Sequence, residues 1–434
     1  MRRLNTCAAD FETAFAALLA RATTEPQVAE AVRGIIAHVR RDGDAALVDL
    51  TNRFDRAKLD IAGLAIKHAE IEAAAAGIAE DLRAALALAA TRIEAFHRAQ
   101  LPNDLRFADG AGVTLGLRWQ PLDAVGLYVP GGKAAYPSSV LMNAIPARVA
   151  GVSRIAMCVP APDGVLNPLV LAAARVAGVT EIYRIGGAQA IAALAYGTQR
   201  IAPVDRIVGP GNAYVAEAKR QVFGQVGIDS IAGPSEVLIL ADSRNNPEHL
   251  AYDLLAQAEH DEAAQSILIT DEAWFADIVA GAVAQALATL PRAKIAGASW
   301  RDHGAIILVR DWAEAVSLAN RIAPEHLQIM TENPGEIFAR IRHAGAVFLG
   351  RDCPEAIGDY VAGPNHVLPT SGTARFASGL SVYDFLKRTS WVSLGQGALS
   401  RIGPAAASLA AAEGLDAHSR SVDIRLPRAV LPET

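Results

Sequence analysis

The stretch DAVGLYVPGGK, at residues 123–133, decides how the chain is expected to fold. Its first seven residues form a short, mostly apolar run, and a Pro-Gly-Gly turn and a helical segment follow. The same order of strand, glycine or proline, and helix recurs at residues 154–159, 181–185 and 204–208. Short strands that alternate with helices are typical of a parallel sheet covered by helices. The sequence therefore predicts an α/β domain here.

Three of these strand-to-helix junctions are rich in glycine: YVPGGK at residues 128–133, RIGGAQ at 184–189 and VGPGN at 208–212. Glycine lets the backbone approach a ligand closely, and a helix N-terminus attracts phosphate. Parallel sheets bind ligands at the carboxyl ends of their strands. The junctions therefore indicate a nucleotide site. None contains a GxGxxG or Walker motif, so tight turns without a ligand are the alternative.

A second group of short apolar runs predicts another set of parallel strands. Helical segments separate these runs, so we expect a second α/β domain. The runs cover residues 236–241, 265–270, 305–309, 326–330 and 346–349.

The segments outside these two regions are predicted to be mainly helical. Residues 113–119 alternate between apolar and polar side chains, which predicts a strand in a hairpin with the segment that follows. Residues 414–426 are expected to form an extended tail that docks on a second subunit. The predicted helices cover residues 10–22, 27–54, 68–99 and 404–413.

Composition limits the class of protein. A chain of 434 residues is expected to form two or more domains. A net charge of -6 offers no basic surface for nucleic acid. The absence of a signal sequence and of any run of about 18 apolar residues predicts a cytoplasmic, soluble protein. Three widely spaced cysteines provide neither a disulfide framework nor a CxxC zinc site.

The segment YDLLAQAEHDE, at residues 252–262, sets an amide and an imidazole three residues apart in a helical stretch. Side chains at that spacing share one face of a helix, so Gln257 and His260 can bind one metal ion. A solvated helix end is the alternative, because acidic residues surround the pair. In the absence of thiolates, zinc would take nitrogen and oxygen ligands, and Asp359 and His418 are further candidates.

The sequence Pro324-Glu325-His326 sets a carboxylate beside an imidazole, a combination suited to acid–base catalysis. On a strand the two side chains would point to opposite faces, whereas at a helix-to-strand corner both could reach one cavity. A polar pair at a helix end is the alternative. His366 lies in a long irregular segment, residues 353–380, and could equally brace the loop or belong to a site.

The cysteines and the remaining histidines are not expected to belong to a functional site. Cys158 falls in an apolar strand and is expected in the core, and Cys353 has no close activating cation, so neither is expected to act as a nucleophile. The remaining histidines are expected at the surface: His38, His68, His97, His249, His303 and His343.

Together these segments resemble the L-histidinol dehydrogenase family over essentially the whole chain. Among the matching motifs are RIGGAQAIAA at residues 184–193, QAEHD at 257–261 and GDYVAGPNHVLPT at 358–370. Several long motifs in the family's order make a chance match implausible. The other matching stretches cover residues 127–152, 208–222, 232–238, 323–327, 380–387 and 413–422.

The resemblance implies a zinc enzyme of histidine biosynthesis that oxidises L-histidinol through L-histidinaldehyde to L-histidine, with two NAD per turnover. It implies acid–base roles for Glu325 and His326. The implied zinc ligands are Gln257, His260, Asp359 and His418. The implied substrate contacts are Ser235, Gln257, His260, His326, Asp359, Glu413 and His418, and the implied NAD contacts are Tyr128, Gln189 and Asn212.

Members of this family are homodimers in which the C-terminal segment crosses over, so Glu413 and His418 are expected to complete the partner's active site. The expected fold is α/β, with two Rossmann-like parallel-sheet domains. The expected division is a helical arm at 1–25, a helical part of the main domain at 26–122, an NAD-binding α/β domain at 123–234, a zinc-binding catalytic α/β domain at 235–380 that packs with 26–122, and a crossing segment at 381–434.

Three other functions fit some of the same residues. Relatives of the family oxidise other small polar alcohols, although the motifs of residues 358–387 and 413–422 resemble the histidinol-specific form. A zinc hydrolase would use Glu325 as base and a metal-bound water as nucleophile, but the three glycine junctions and the lack of HExxH argue against it. A metal-binding scaffold without catalysis would bind no NAD.

Overall fold

The computed structural model describes residues 1–20, 26–131, 136–231 and 233–427. The chain forms two compact units, one of residues Met1–Gln100 and Leu122–Phe385, the other of Leu101–Pro121 and the segment from Leu386 onward. Among the described residues, no helix is both long and apolar enough to cross a membrane.

The strands alternate with helices along most of the chain. The strands are β1 (Arg2–Asn5), β2 (Leu105–Ala108), β3 (Thr114–Pro121), β4 (Ala124–Tyr128), β5 (Arg154–Cys158), β6 (Glu181–Tyr183), β7 (Arg206–Val208), β8 (Gly227–Ile228), β9 (Glu236–Ala241), β10 (Gln265–Thr270), β11 (Ala305–Leu308), β12 (His326–Met330), β13 (Ala346–Leu349) and β14 (Leu386–Ser393).

The helices are α1 (Phe11–Leu19), α2 (Pro26–Asp42), α3 (Asp44–Asp55), α4 (His68–Gly77), α5 (Glu80–Arg98), α6 (Pro137–Ala150), α7 (Pro168–Ala177), α8 (Gly187–Tyr196), α9 (Ala213–Val222), α10 (Pro247–Ala258), α11 (Ala273–Leu287), α12 (Ala293–His303), α13 (Trp312–Ile322), α14 (Pro334–Phe338), α15 (Ala356–Tyr360), α16 (Gln396–Ala412) and α17 (Asp416–Asp423).

Two parallel sheets confirm the α/β prediction. The first sheet has the order β6-β5-β4-β7-β8, and the second has the order β1-β11-β10-β9-β12-β13. Both are parallel throughout. Their central strands are buried on both faces, which is why these segments are continuous apolar runs in the sequence.

The helices of the N-terminal region pack mainly on the first sheet. Val32, Ile36 and Leu47 share a core cluster with Tyr128 and Cys158, and Cys158 is fully buried, as predicted. These contacts differ from the expected grouping of 26–122 with the second sheet. The end of α5 does reach the second region, because the Arg92 guanidinium donates to the Ala362 carbonyl at 3.2 Å.

Strand β1 was not predicted from the sequence. It pairs in parallel with β11 at the edge of the second sheet, so the first residues are not purely a helical arm. Of its four residues, only Leu4 is buried, and a single apolar residue gives no periodic pattern.

Two long predicted helices are each broken in the structure. Gly43, with φ of 56°, separates α2 from α3, because this left-handed conformation cannot continue an α-helix. Ile78 and Ala79 are extended and separate α4 from α5.

His97 was predicted at the surface, but it is fully buried. It lies on the apolar face of α5 that includes Leu86 and Ile93, and its Nδ1 lies 2.8 Å from the Ile93 carbonyl. The prediction failed because charged residues next to His97 in the sequence suggested a solvent-exposed position. Burial lowers the pKa of the His97 imidazole.

The second unit corrects two further predictions. Strand β3 pairs antiparallel with the preceding β2 and with the distant β14, and not with the segment that follows it. Residues 416–423 form helix α17 instead of an extended tail. Gly414, with φ of 73°, ends α16 and starts a new helix close by, and Gly403 leaves room for Val422 against α16.

Candidate active site

Glu325 and His326 lie where the chain enters β12, at the amino edge of the second sheet. Ala323 ends α13 with φ of 48°, a strained conformation for alanine, and turns the chain into this corner. The Ala346 N–H of β13 donates to the Glu325 carbonyl at 2.9 Å, which fixes the corner to the sheet. Both side chains are buried, with 6% and 5% exposure.

The surroundings of His326 define its protonation. Its Nδ1 lies 2.9 Å from the Glu236 carbonyl, which can only accept, so Nδ1 carries the proton and Nε2 does not. Nε2 lies 3.5 Å from Oε1 of Glu355. Burial lowers the pKa of His326 to about 4, although the charge of Asp359 opposes this. A neutral imidazole with an open nitrogen therefore faces the carboxylates.

The Glu325 carboxyl is held beside the same imidazole. Its Oε2 accepts from the Glu236 N–H at 2.8 Å and lies 3.6 Å from Nδ1 of His326. Burial raises the pKa of Glu325 well above its ordinary value, and the carboxyl groups of Glu236, Asp359 and Glu355 add to this. Several buried acids thus crowd one place.

Asp359 is the centre of the polar cluster. One oxygen lies 3.5 Å from Nδ1 of His366, and the other lies 4.0 Å from Nε2 of His260. Burial alone would raise the pKa of Asp359, but the hydrogen bond from His366 and the nearby imidazoles lower it. His326, Glu355 and Asp359 each also offer one ligand atom, and these three atoms lie within 4.8 Å of one another, close enough to share a cation.

Gln257 adds a second observation that favours a metal ion. The residue is 1% exposed, and neither its amide nitrogen nor its amide oxygen has a hydrogen-bond partner. Leaving such a group buried costs about 1–3 kcal/mol. A cation bound by the amide oxygen would remove part of this cost, so Gln257, His260 and Asp359 fit zinc or another borderline dication.

The glycine junctions also fit their expected ligand. Tyr128 is buried, and its hydroxyl accepts from the Gly187 N–H at 3.0 Å, which links two junctions. Gly186, at the start of α8, provides no side-chain cap, so N–H groups of the first turn are available to phosphate. Gln189 is buried in α8, and exposed Asn212 caps α9. These ends lie at the carboxyl edge of the first sheet, where dinucleotides bind.

Comparisons with known proteins identify the family. The family model described as histidinol dehydrogenase matches residues 19–426.

The chain belongs to the histidinol dehydrogenase family.

Individual members of the histidinol dehydrogenase family match over nearly their whole length. The chain is 65% identical to the histidinol dehydrogenase of Gluconobacter oxydans (strain 621H), covering 99% of this chain and 100% of that protein. Its identity to the enzyme of Rhizobium meliloti (strain 1021) is 62%, with 98% of each covered. The crystal structure of histidinol dehydrogenase from Elizabethkingia anophelis superposes with a TM-score of 0.93 at 36% identity, covering 98% of both chains.

Within the first unit, residues that the histidinol dehydrogenase resemblance singled out lie together. Glu325, His326, His260 and Asp359 form one cluster, as the distances above show. Ser235 directly precedes β9, and its carbonyl accepts from the Gln265 N–H at 2.9 Å. The cluster lies at the amino edge of the second sheet, whereas the glycine junctions lie at the carboxyl edge of the first.

Glu413 and His418 belong to the second unit and are exposed there. Glu413 caps the end of α16, and His418 lies on α17. Their roles in a histidinol dehydrogenase site are therefore a matter for proposal.

Glu355 was missed from the sequence, although it contacts both His326 and the Asp359 group. It is 3% exposed, and burial raises its pKa, as does the charge of Asp359. The signal was its spacing of four residues from Asp359, which a helix places on one face. His366, left open from the sequence, lies beside Asp359 and has a buried Nε2 without a hydrogen-bond partner.

Proposed function

We propose that this chain oxidises L-histidinol through L-histidinaldehyde to L-histidine, with two NAD and one bound zinc ion. The observation that carries the proposal is the open Nε2 of His326 in one cluster with Asp359, whose carboxylate lies 4.0 Å from His260. The buried, unpartnered amide of Gln257, three residues before His260, supports it. A proton acceptor next to a metal-fitting cluster is what a metal-assisted alcohol dehydrogenase requires. The substrate follows from the activity for which the relatives are named.

Gln257, His260 and Asp359 would hold the zinc ion, together with His418 of the partner subunit. Zinc, when bound, supplies a positive centre that orients the substrate's nitrogen atoms. Ser235 and Glu413 would contact the substrate beside it. The buried carboxyl groups around His326 also favour a cation, because opposite charge offsets their mutual repulsion.

His326 would accept the hydroxyl proton of histidinol at Nε2 as the alcohol carbon loses hydride. Its neutral form is the reactive one, and the Glu236 carbonyl keeps the proton on Nδ1. Oε1 of Glu355 lies 3.5 Å from Nε2, on the same side of the ring. The aldehyde and a proton on His326 are the products of this half-reaction.

Glu325 would take a proton from the water that adds to the aldehyde. The resulting hydrate anion loses the second hydride and becomes the carboxylic acid of histidine. A carboxyl group with a raised pKa is a stronger base than an ordinary one once it is ionised. Its hydrogen bond from the Glu236 N–H keeps it in place.

The NAD would lie across the glycine junctions, where Tyr128, Gln189 and Asn212 are the proposed contacts. NAD, when bound, accepts the hydride in each half-reaction. The uncapped start of α8 offers N–H groups to its phosphates. Two molecules would be used in succession.

We further propose a homodimer in which Glu413 and His418 complete the partner's site. Both side chains are exposed, so they are free to meet another subunit. A zinc ion with three protein donors from one chain reaches four when the partner contributes one.

The test counts NADH per mole of limiting L-histidinol, by absorbance, before and after zinc is removed with a chelator. We expect two NADH per substrate, loss on removal and recovery when zinc is restored. One NADH would indicate a simple alcohol dehydrogenase, and none would reject histidinol as substrate.

A further inference from the structure

The first sheet has the strand order of the first five strands of a dinucleotide-binding fold. Counted from β4, its order β6-β5-β4-β7-β8 is 3-2-1-4-5. In that fold a glycine turn follows strand 1, and an acidic residue about 20 positions later binds the ribose hydroxyls of NAD, near the end of strand 2. Strand 2 here is β5, and Val159, Pro160 and Ala161 follow it without an acid.

The next acid along the chain is already engaged. Both oxygens of Asp163 accept from the Arg56 guanidinium, at 2.8 and 2.9 Å. Asp163 is thus held by the ion pair with Arg56, which also ties the end of α3, with Asp55 beside Arg56, to the segment that follows β5.

Asp55 reaches this position from another element. It is the last residue of α3, and its carboxyl accepts from the Ala161 backbone N–H, just past the end of β5. Its Oδ2 is buried and has no hydrogen-bond partner. Burial raises the pKa of Asp55, as expected for a carboxylate oxygen that is removed from water without gaining a hydrogen bond. An acceptor left this way is poised for a donor from a ligand.

The carboxyl group of Asp55 also lies near the glycine junctions. Its charge is close enough to Tyr128 to add to the effect of burial, which raises the pKa of the phenol to about 12. Tyr128 ends β4 and receives the Gly187 N–H from the second junction. Asp55 therefore faces the same end of the first sheet as the proposed NAD contacts.

The segment around Asp55 is held at some conformational cost. Arg56 and Asp163, which form the ion pair, have φ of 55° and 57°, in the left-handed region that side chains disfavour. Strain of this kind clusters at functional sites. The ion pair fixes the end of α3 against the turn at Pro162–Gly164, and with it the carboxyl group.

We propose that Asp55 accepts hydrogen bonds from the adenosine ribose hydroxyls of the dinucleotide and selects NAD over NADP. The inference rests on the proposed function, because it requires a dinucleotide at the glycine junctions. A ribose hydroxyl donates to the carboxylate, whereas the 2′-phosphate of NADP has no comparable donor and carries like charge. Asp55 thus binds the ribose in place of the acidic residue that lies at the end of strand 2 in other dinucleotide-binding folds.

The test is direct binding of NADH and NADPH to the full-length protein, measured by fluorescence titration without substrate. For Asp55→Asn we expect NADH to bind about tenfold more weakly or worse, because a hydrogen bond to a charged group is lost. NADPH should bind equally well or better. Asp49→Asn is the matched control, since it removes the same charge from an exposed position of α3 and should change neither constant.

Two outcomes overturn the inference alone: NADH affinity unchanged in Asp55→Asn, or NADH and NADPH affinities reduced by the same factor. Failure of the unaltered protein to bind NADH would overturn the proposed cofactor as well, so the two failures are distinguishable. If the Asp55→Asn variant does not fold, Asp55→Glu provides a second test. It keeps the charge and should retain the preference for NADH, and loss of that preference also contradicts the inference.

Discussion

Gln257 shows most directly how a single side chain can be stabilised by something outside the polypeptide. Its amide is buried at the end of α10, and both of its polar atoms lack hydrogen-bond partners. The unbound protein therefore carries an energetic cost at the point where a metal ion is proposed to bind. A mutation of Gln257 can separate its effect on the stability of the metal-free protein from its effect on metal binding.

We expect Gln257→Met to make the metal-free protein more stable, by about 1–3 kcal/mol, because an unpaired buried amide is replaced by an apolar side chain of similar size. The same variant should bind zinc weakly. Thermal melting with chelator and zinc analysis measure the two effects. Gln285→Met, at an exposed position of α11, is the control and should leave zinc content unchanged. A Gln257→Met protein with full zinc would contradict the ligand assignment.

Glu325 and His326 are proposed to act in different half-reactions, and an isosteric change can separate them. Glu325→Gln retains an oxygen that accepts from the Glu236 N–H, so the fold should be kept. We expect oxidation of L-histidinaldehyde to slow about 100-fold or more, because only this step needs activated water. Oxidation of L-histidinol to the aldehyde should change much less.

NADH formation from each substrate, supplied separately, measures the two rates. Equal losses with the alcohol and the aldehyde would refute this division of labour. Glu332→Gln, an exposed carboxyl group paired with Arg244, is the control for a change of charge.

At the scale of elements, a buried ion pair between Lys219 of α9 and Asp229 contacts the glycine junction at residues 208–212. The ammonium group donates to the Gly209 carbonyl at 3.1 Å, and the carboxylate accepts from the Gly209 N–H at 2.7 Å. Gly209 has φ of 115°, and a Cβ there would lie 2.0 Å from the Tyr128 carbonyl oxygen. The pair thus fixes the turn that leads into Asn212.

Lys219→Met should destabilise the protein by about 3–5 kcal/mol, because it leaves Asp229 buried without its counter-ion. Adding Asp229→Asn should recover much of this loss, since the amide oxygen can still accept from Gly209 without a charge. Denaturant unfolding measures both variants. Lys294→Met, on the exposed side of α12, should have little effect. A double variant as unstable as the single one would show that charge is not the cause.

The elements differ in how well the sequence predicted them, for physical reasons. Strands of the second sheet such as β9 and β10 were placed correctly, because strands buried on both faces are continuous apolar runs. Strand β1 and helix α17 were missed because few of their side chains are buried. Strand β1 also depends on pairing with β11, which is distant in sequence. Glu355 was missed because its only signal is the spacing of four residues from Asp359, in a segment that was predicted to be irregular and not helical.

At the scale of the whole molecule, the proposed active site requires two chains. His418 lies in the second unit on an exposed helix, and zinc would need it as a fourth ligand. A defect in His326 on one chain and a defect in His418 on the other should then fall in the same active site of a mixed dimer. One site would carry both defects, and the other would carry none.

We therefore expect a mixture of His326→Asn and His418→Asn proteins, refolded together, to regain up to about a quarter of normal activity, since half the dimers would have one intact site. Each variant refolded alone is the control and should remain inactive. Native mass spectrometry confirms that subunits have exchanged. Exchange without recovery would contradict the crossing of the C-terminal segment.

The edge strand β1 has a consequence for how the protein is made. Residues 2–5 leave the ribosome long before their pairing partner β11, which lies about 300 positions later in the chain, and the Arg2 N–H donates to the Gly304 carbonyl. Contacts so distant in sequence form slowly. The edge of β11 therefore stays unpaired until β1 returns to it, and a tag fused close to β1 would be carried to that edge during synthesis.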